Sequence, residues 1–332
     1  MRTTIALTGD VMLGRLVDRY VIRNPTVEPP TLWGDVLPLL LAADIRMINL
    51  ECMISLRGER WRPQSKAFHF RAHPRAIEFL KAARIDCVTL ANNHVLDYGA
   101  DALIECLDLL DQAGIKHTGA GRDPAEALQP AYLSTPAGTV AVVALTDNEP
   151  EWEVAPGVPG INVVDYDEHG LIEPYASRMT ELIAIARRQA SFVVVSAHVG
   201  PNWGRPSRPM QRLAHQLIDQ GADLYWGHSN HTPQGIEVYR GKPILYSTGD
   251  FVDDYAIDPA ERNDLSFLFE VELHDKRIHI IRLHPTTIEQ FYVRRATEPE
   301  ARWLLERMRA LSAAFESRVI IQDREGSISC YQ

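Results

Sequence analysis

The stretch Leu90-Ala-Asn-Asn-His-Val-Leu-Asp-Tyr-Gly99 decides how this chain is read. It follows Cys87-Val88-Thr89, an apolar run that reads as a buried strand. It precedes a segment in which Leu103, Cys106, Leu107 and Leu110 share one helical face, with Asp101, Glu105, Asp108 and Gln112 opposite. Strand, polar turn and helix are the parts of an α/β protein, which places its ligand-binding groups at the carboxyl ends of strands. Asn92, Asn93, His94 and Asp97 are of a size and polarity suited to metal ligation or proton transfer.

Four further strands deliver similar groups. Ile5-Ala6-Leu7 leads to Gly9-Asp10, and Ile45–Leu50 carries Asn49 and then Glu51 at its end. Phe192–Val195 runs into Ser196-Ala197-His198, and Leu224-Tyr225-Trp226 into Gly227-His228-Ser229-Asn230-His231. In a sheet of parallel strands these ends lie along one edge. Two carboxylates, an amide and several imidazoles suit a divalent ion such as Mn²⁺, Fe²⁺ or Zn²⁺. One or two ions are expected; two held ~3.5–4 Å apart would clamp an oxyanion and activate a water. Glu51 is placed to bridge them.

Between these strands, 32–43 reads as a helix with Pro38 as a blemish, and further helices follow from Pro74, over 173–188, over 211–220 and over 298–315. The stretches 57–71 and 146–172 read as long loops, the second as a lid or a mobile surface excursion. After Ile236 the pattern changes to two hairpins, Ile236–Tyr239 with Pro243–Tyr246 and Ser266–Leu273 with Arg277–His284. No repeat or linker divides the 332 residues, so one domain over 1–332 is expected, with a core over about 4–285.

A composition of 45% hydrophobic and 23% charged residues is that of a soluble globular protein. The formal net charge of −10 gives no general attraction to nucleic acid or anionic lipid. No run approaches the ~20 apolar residues of a membrane span, so no membrane anchor and a cytoplasmic protein are expected. Cys52, Cys87, Cys106 and Cys330 lack CxxC pairing, which argues for reduced buried thiols over a thiolate zinc site.

TGDVMLGR, INLE, TLANNHVLDYG, HVGPNW and GHSNHTPQGIEVYRGKPILYSTGDF, in this order over about Ile5 to Asp254, resemble the CapA/PgsA family of capsule-synthesis proteins. The resemblance implies a calcineurin-like metallophosphoesterase fold, a four-layer α/β/β/α sandwich of two mixed sheets flanked by helices, with the late hairpins completing the second sheet. It also implies an association with poly-γ-glutamate synthesis. By position, Asp10 matches a ligand of the first metal, Glu51 the bridging carboxylate and Asn93 the amide ligand. His198 and His228 match ligands of the second metal, and His231 a ligand of the first. His94 matches the histidine that protonates a leaving oxygen, with Asp97 holding its tautomer. The chain departs from the pattern in three ways. Met12 stands where a histidine is usual, Glu51 replaces an aspartate, and two residues separate His228 from His231.

Asn92, Lys66, Arg71, Asn202 and Arg205 are candidates for binding substrate, and Lys66, His69, Arg71 and Arg205 are the cations that could take a carboxylate or phosphate. Trp152 and Trp203 are candidates to line the pocket, and Trp226 for the core. Asp250 could join the site, whereas Asp253 and Asp254 are expected to solvate a hairpin end. The expected function is a metal-dependent hydrolase or phosphatase-like enzyme acting on a peptide, polyglutamate or phosphorylated small molecule. Two alternatives stay open: a metal-independent peptide Cα epimerase, and a non-catalytic polymer-binding assembly protein.

Overall fold

The computed structural model describes residues 2–61 and 66–330, so part of the expected 57–71 loop lies outside the described residues. The protein is a mixed α/β structure in which two large sheets carry helices. The larger begins with four parallel strands, β1 (Arg2–Val11), β2 (Ile45–Leu50), β3 (Cys87–Thr89) and β4 (Lys116–Thr118). The smaller begins with an antiparallel pair, β5 (Ala131–Thr135) and β6 (Gly138–Thr146), and continues through parallel β7 (Phe192–His198) and β8 (Leu224–His228). The hairpin β9 (Ile236–Tyr239) and β10 (Lys242–Leu245) closes that sheet, giving the order β9-β10-β8-β7-β6-β5.

The second hairpin corrects the expectation that both would complete the same sheet. Strands β12 (Leu265–His274) and β13 (Arg277–Glu289) lie on the larger sheet, where β12 runs antiparallel to β1 over Arg2–Leu7. Between the hairpins, β11 (Asp250–Val252) pairs parallel with the far end of β1. Alternation fixes which sheet a hairpin can join. Phe267, Phe269 and Val271 must bury the same face as Ile5 and Leu7, and do so in one apolar cluster.

Period-two alternation also explains why the central strands are apolar throughout. Along β7, Phe192 and Val194 pack in the cluster that joins both sheets, with Leu7, Met47 and Trp226. Val193 and Val195 point the other way and pack with Met179, Leu182 and Ile183 of α4 (Tyr175–Gln189) and Leu213 and Leu217 of α5 (Arg208–Asp219). On the larger sheet, Ala6, Ile48 and Val88 pack with Leu40 of α1 (Leu37–Ala42), Phe79 of α2 (Ala76–Ala82) and Leu103 and Leu107 of α3 (Gly99–Ala113).

Two local expectations change. The 32–43 helix is a 3₁₀ segment, Pro29–Val36, followed by α1, with Gly34 at φ +46° inside the kinked segment. Pro38 therefore sits in the first turn of α1, where its missing N–H costs nothing. The 146–172 stretch contains a 3₁₀ turn at Pro150–Trp152, and its Trp152, Ile161 and Val163 are buried in the cluster beneath α3. It is a packed excursion, because these apolar side chains anchor it in the core. The last helix, α6, runs Glu298–Ala313. All four cysteines are free and buried, and no helix among the described residues is long and apolar enough to cross a membrane.

Candidate metal and acid–base site

The carboxyl ends of β1, β2 and β3 meet those of β7 and β8, so the candidate residues come from both sheets. Register puts Asp10 beside Asn49 and Asp250, and His198 beside His228. The two Thr-Gly-Asp tripeptides, 8–10 and 248–250, run side by side, and Asp10 N donates to Gly249 O at 2.8 Å. A Cβ on Gly9 would lie 2.0 Å from Gly249 O, so only glycine permits this approach.

Asp10 is the hub. Its Oδ1 accepts from Asn49 Nδ2 at 2.8 Å and lies 2.8 Å from His228 Nδ1, while Oδ2 lies 3.9 Å from His198 Nδ1. His198 Nε2 is 3.8 Å from Glu51 Oε1. One donor atom each from Asp10, Glu51 and His198 fall within 4.8 Å of one another, all three side chains buried. Burial works against the charged form of Asp10, but His228, His198 and Asn49 outweigh it and lower its pKa to about 2. Burial pushes His198 down to about 3, which keeps its imidazole neutral, the ligating form. Burial, then Asp10, drives Glu51 well above the usual carboxylate range.

Two more carboxylates deepen the charge. Asp250 is fully buried and Asp253 is 5% exposed, and both are pushed well above the usual range, first by burial and then by neighbouring acids. The Asp254 side chain is also buried, accepting from Leu16 N and facing Arg15 at 3.3 Å. The expectation that Asp253 and Asp254 solvate a hairpin end is thus overturned, because pairing of β11 with β1 draws the segment after β11 inward. Buried carboxylates at this density need a cation or protons. Asn93 Oδ1 and His228 Nε2 are buried without a hydrogen-bond partner among the described residues. This donor set of hard oxygens and neutral imidazoles fits a divalent metal ion.

The candidate acid–base pair sits on the loop after β3. His94 Nδ1 is 2.6 Å from Asp97 Oδ2, which also accepts from Phe70 N at 2.6 Å. Lys66 Nζ faces Asp97 Oδ1 at 3.4 Å and donates to the Asn93 carbonyl. Burial, then Lys66, pushes His94 well below its ordinary value, and burial raises Asp97 to about 7. The 2.6 Å contact needs a proton between Nδ1 and Oδ2, which leaves Nε2 as the ring nitrogen outside that pair. Phe70 stacks on the ring at 3.8 Å between centroids.

The half of the site near His231 is arranged differently. His231 Nδ1 faces Asp250 Oδ1 at 3.1 Å, and its Nε2 faces Asn202 Nδ2 at 3.1 Å. Tyr255 OH donates to Glu51 Oε2 at 3.1 Å. Met12 is fully buried and its sulfur accepts from Gly14 N, so it offers nothing in place of an imidazole. Ser229, between the two histidines, holds φ +78° and bonds Gly200 O, a strained turn of the kind that collects at functional sites.

A cavity of about 340 Å³ opens onto these groups and is lined by Glu51, Asn93, His94, His198, Asn202 and His231. Phe68, Phe70, Trp203 and Tyr255 supply its apolar wall. Among the substrate candidates only Asn202 lines it. Asn92 is fully buried, with its amide on Asn49 and Leu50 and its oxygen on His94 N. Lys66 lies behind His94, Arg71 lines a neighbouring cavity, and Arg205 is exposed. Asn49, Arg15, Phe70 and Tyr255 belong to the site, and none of the four stood among the expected site residues. Asn49 had a visible signal, a polar residue at the end of an apolar strand, but the other three arrive through tertiary contact.

A family model described as "Bacterial capsule synthesis protein PGA_cap" matches residues 4–255. The chain is 32% identical, over 96% of its length and 93% of the relative's, to a probable polyglutamine synthesis accessory protein of Mycobacterium tuberculosis. It is 27% identical to the capsule biosynthesis protein CapA of Bacillus anthracis, over 87% of this chain and 68% of that one. The match takes in β1 through β11 and with them all the strand ends that assemble the site. This chain belongs to the bacterial capsule synthesis protein family.

Proposed function

We propose that this protein is an enzyme of polyglutamate or capsule metabolism that holds a divalent metal ion and uses His94 as its general acid or base. The observation that carries this reading is one small cavity onto which both a buried His94–Asp97 pair and the Asp10–Glu51–His198 cluster open. Face-to-face sheets with outer helices support a single-domain, four-layer α/β/β/α sandwich of metallo-dependent phosphatase type.

Asp10, Glu51 and His198 would hold the ion, with Asn93 and His228 as further donors. Bound there, it would polarise a phosphoryl or carbonyl oxygen. Asp97 holds the imidazole through Nδ1, so His94 moves protons through Nε2. Phe70 and Trp203 shield the reacting groups from water, and Asn202 positions a polar part of the substrate. One ion is favoured over two, because Met12, Tyr255 and Asp250 occupy or replace the remaining contacts of the His231 side.

The test is elemental analysis of protein purified without chelators, together with turnover of phosphoesters and γ-glutamyl peptides with and without added Mn²⁺ or Zn²⁺. Near-stoichiometric metal and metal-stimulated turnover are expected; absence of both overturns the reading. The bonding of His231 to Asp250 and Asn202 favours a second reading, metal-independent proton transfer at a peptide Cα. Deuterium uptake at Cα that survives EDTA would select it, and no uptake would remove it.

A further inference from the structure

Beside the catalytic cavity lies a second one of about 290 Å³ with a different character. Arg15, Arg23, Arg60 and Arg71 line it with His69 and His73, against one carboxylate, Asp18, among the described residues. In a chain of formal net charge −10, this cavity is locally basic.

The wall between the cavities is one extended segment. Phe68 and Phe70 line the catalytic side, whereas His69 and Arg71 line the basic side, an alternation over 68–71, and Ala72 and His73 continue the basic wall. Arg15 lines both cavities. Its backbone is held at φ +53°, and Asp254 accepts from the next amide, Leu16 N. The guanidinium lies over Phe68 and Phe70, at 5.4 and 5.6 Å from their centroids. A strained residue held at the junction of two cavities suggests positioning for a ligand.

Arg15 has the buried Asp254 carboxylate at 3.3 Å, but the other cations are incompletely neutralised among the described residues. Arg23 stands 4.0 Å from Asp18 with 63% of its side chain exposed. Arg71 lies over the Tyr98 ring and donates to a backbone carbonyl. His69 is 9% exposed, and its Nδ1 is buried with no partner among the described residues. Arginine forks of this kind pair with planar carboxylates or with phosphates.

We propose that this basic cavity is a second anion subsite, so that the substrate is a chain carrying several anionic groups, one bound here while another region enters the catalytic cavity past Arg15. That the bound chain is a substrate, and not only a ligand, rests on the reading that the catalytic cavity acts on it. Carboxylate and phosphate share the recognition chemistry, and the two are separable by probe.

Calorimetric titration tests it, comparing γ-linked glutamate monomer with hexamer and orthophosphate with tripolyphosphate. The chain-like probe of one series is expected to bind about 10²-fold tighter than its monomer. The variant R23Q/R60Q removes two exposed charges of the cavity and should lose most of that gain. K276Q/R277Q removes two charges from the β12–β13 turn and should keep it. No gain in either series, or equal loss in both variants, overturns the subsite. Metal content and turnover are measured on the same preparations. A chain-length gain without metal or turnover upholds the subsite and removes the catalytic reading. Metal-stimulated turnover of a small ester without such a gain removes the subsite alone.

Discussion

Asp97 accepts from Phe70 N and faces both His94 Nδ1 and Lys66, so a fully buried carboxylate outside the lining of the catalytic cavity fixes which ring nitrogen of His94 is left for proton exchange in the proposed reaction. Replacing it by asparagine keeps the shape but permits the other tautomer. Turnover of Asp97→Asn is expected to fall by about 10²–10⁴-fold with metal content unchanged. A variant that loses metal in proportion to activity would contradict this. Asn49 is the second such residue. Its amide bonds Asp10 Oδ1 at 2.8 Å and faces His198 Nδ1 at 3.2 Å, and its oxygen accepts from Thr89 and Asn92. Asn49→Ala leaves several buried groups without partners and is expected to cost about 1–3 kcal/mol in urea denaturation. A loss well below that range would mean that water replaces the amide.

At the scale of elements, the site depends on how closely β1 approaches the turn before β11. Gly9 passes the Gly249 carbonyl with no room for a Cβ, and this brings Asp250 beside Asp10. Gly9→Ala must push those backbones apart, so a loss of about 1–3 kcal/mol is expected. Metal affinity should fall with it, since Asp10 and Asp250 sit on the two displaced segments. Unchanged affinity in a destabilised variant would show that the cluster tolerates the shift. The excursion over 146–172 belongs here too. Composition reads as loop, but Trp152, Ile161 and Val163 enter the core, and apolar burial overrides turn-rich composition.

Across the whole molecule, His284 on β13 is a titrating link between strands of the larger sheet. It lies 3.4 Å from Glu270 of β12 and 3.0 Å from Glu325, which begins the strand Glu325–Ser329. Burial opposes its charge, but the two carboxylates outweigh burial and raise its pKa above the ordinary 6.5. A raised folded-state value means that the stabilisation is fully present below the unfolded value and is lost as pH rises through the folded one. The stability difference between the native chain and His284→Gln is therefore expected to be larger at mildly acid pH than at alkaline pH. A pH-independent difference in denaturation midpoints would refute the link.

Much of this was legible in the residues themselves. Strand, turn and helix around Asn93 and His94, and polar residues directly after apolar runs, follow from local periodicity and side-chain chemistry. They single out Asp10, Glu51, His94, His198 and His228 as candidates without any contact being known. Tertiary structure alone decided what those residues meet. Two sheets rather than one supply the cluster, because face-to-face packing is a long-range property of alternating apolar faces. It also decided that Asp253 is buried, that Asn92 supports the loop instead of facing the cavity, and that Arg71 and Arg15 open a second, basic cavity. Burial, partner and orientation are set by chain segments distant in sequence, and no local pattern around a charged residue records which of them will arrive.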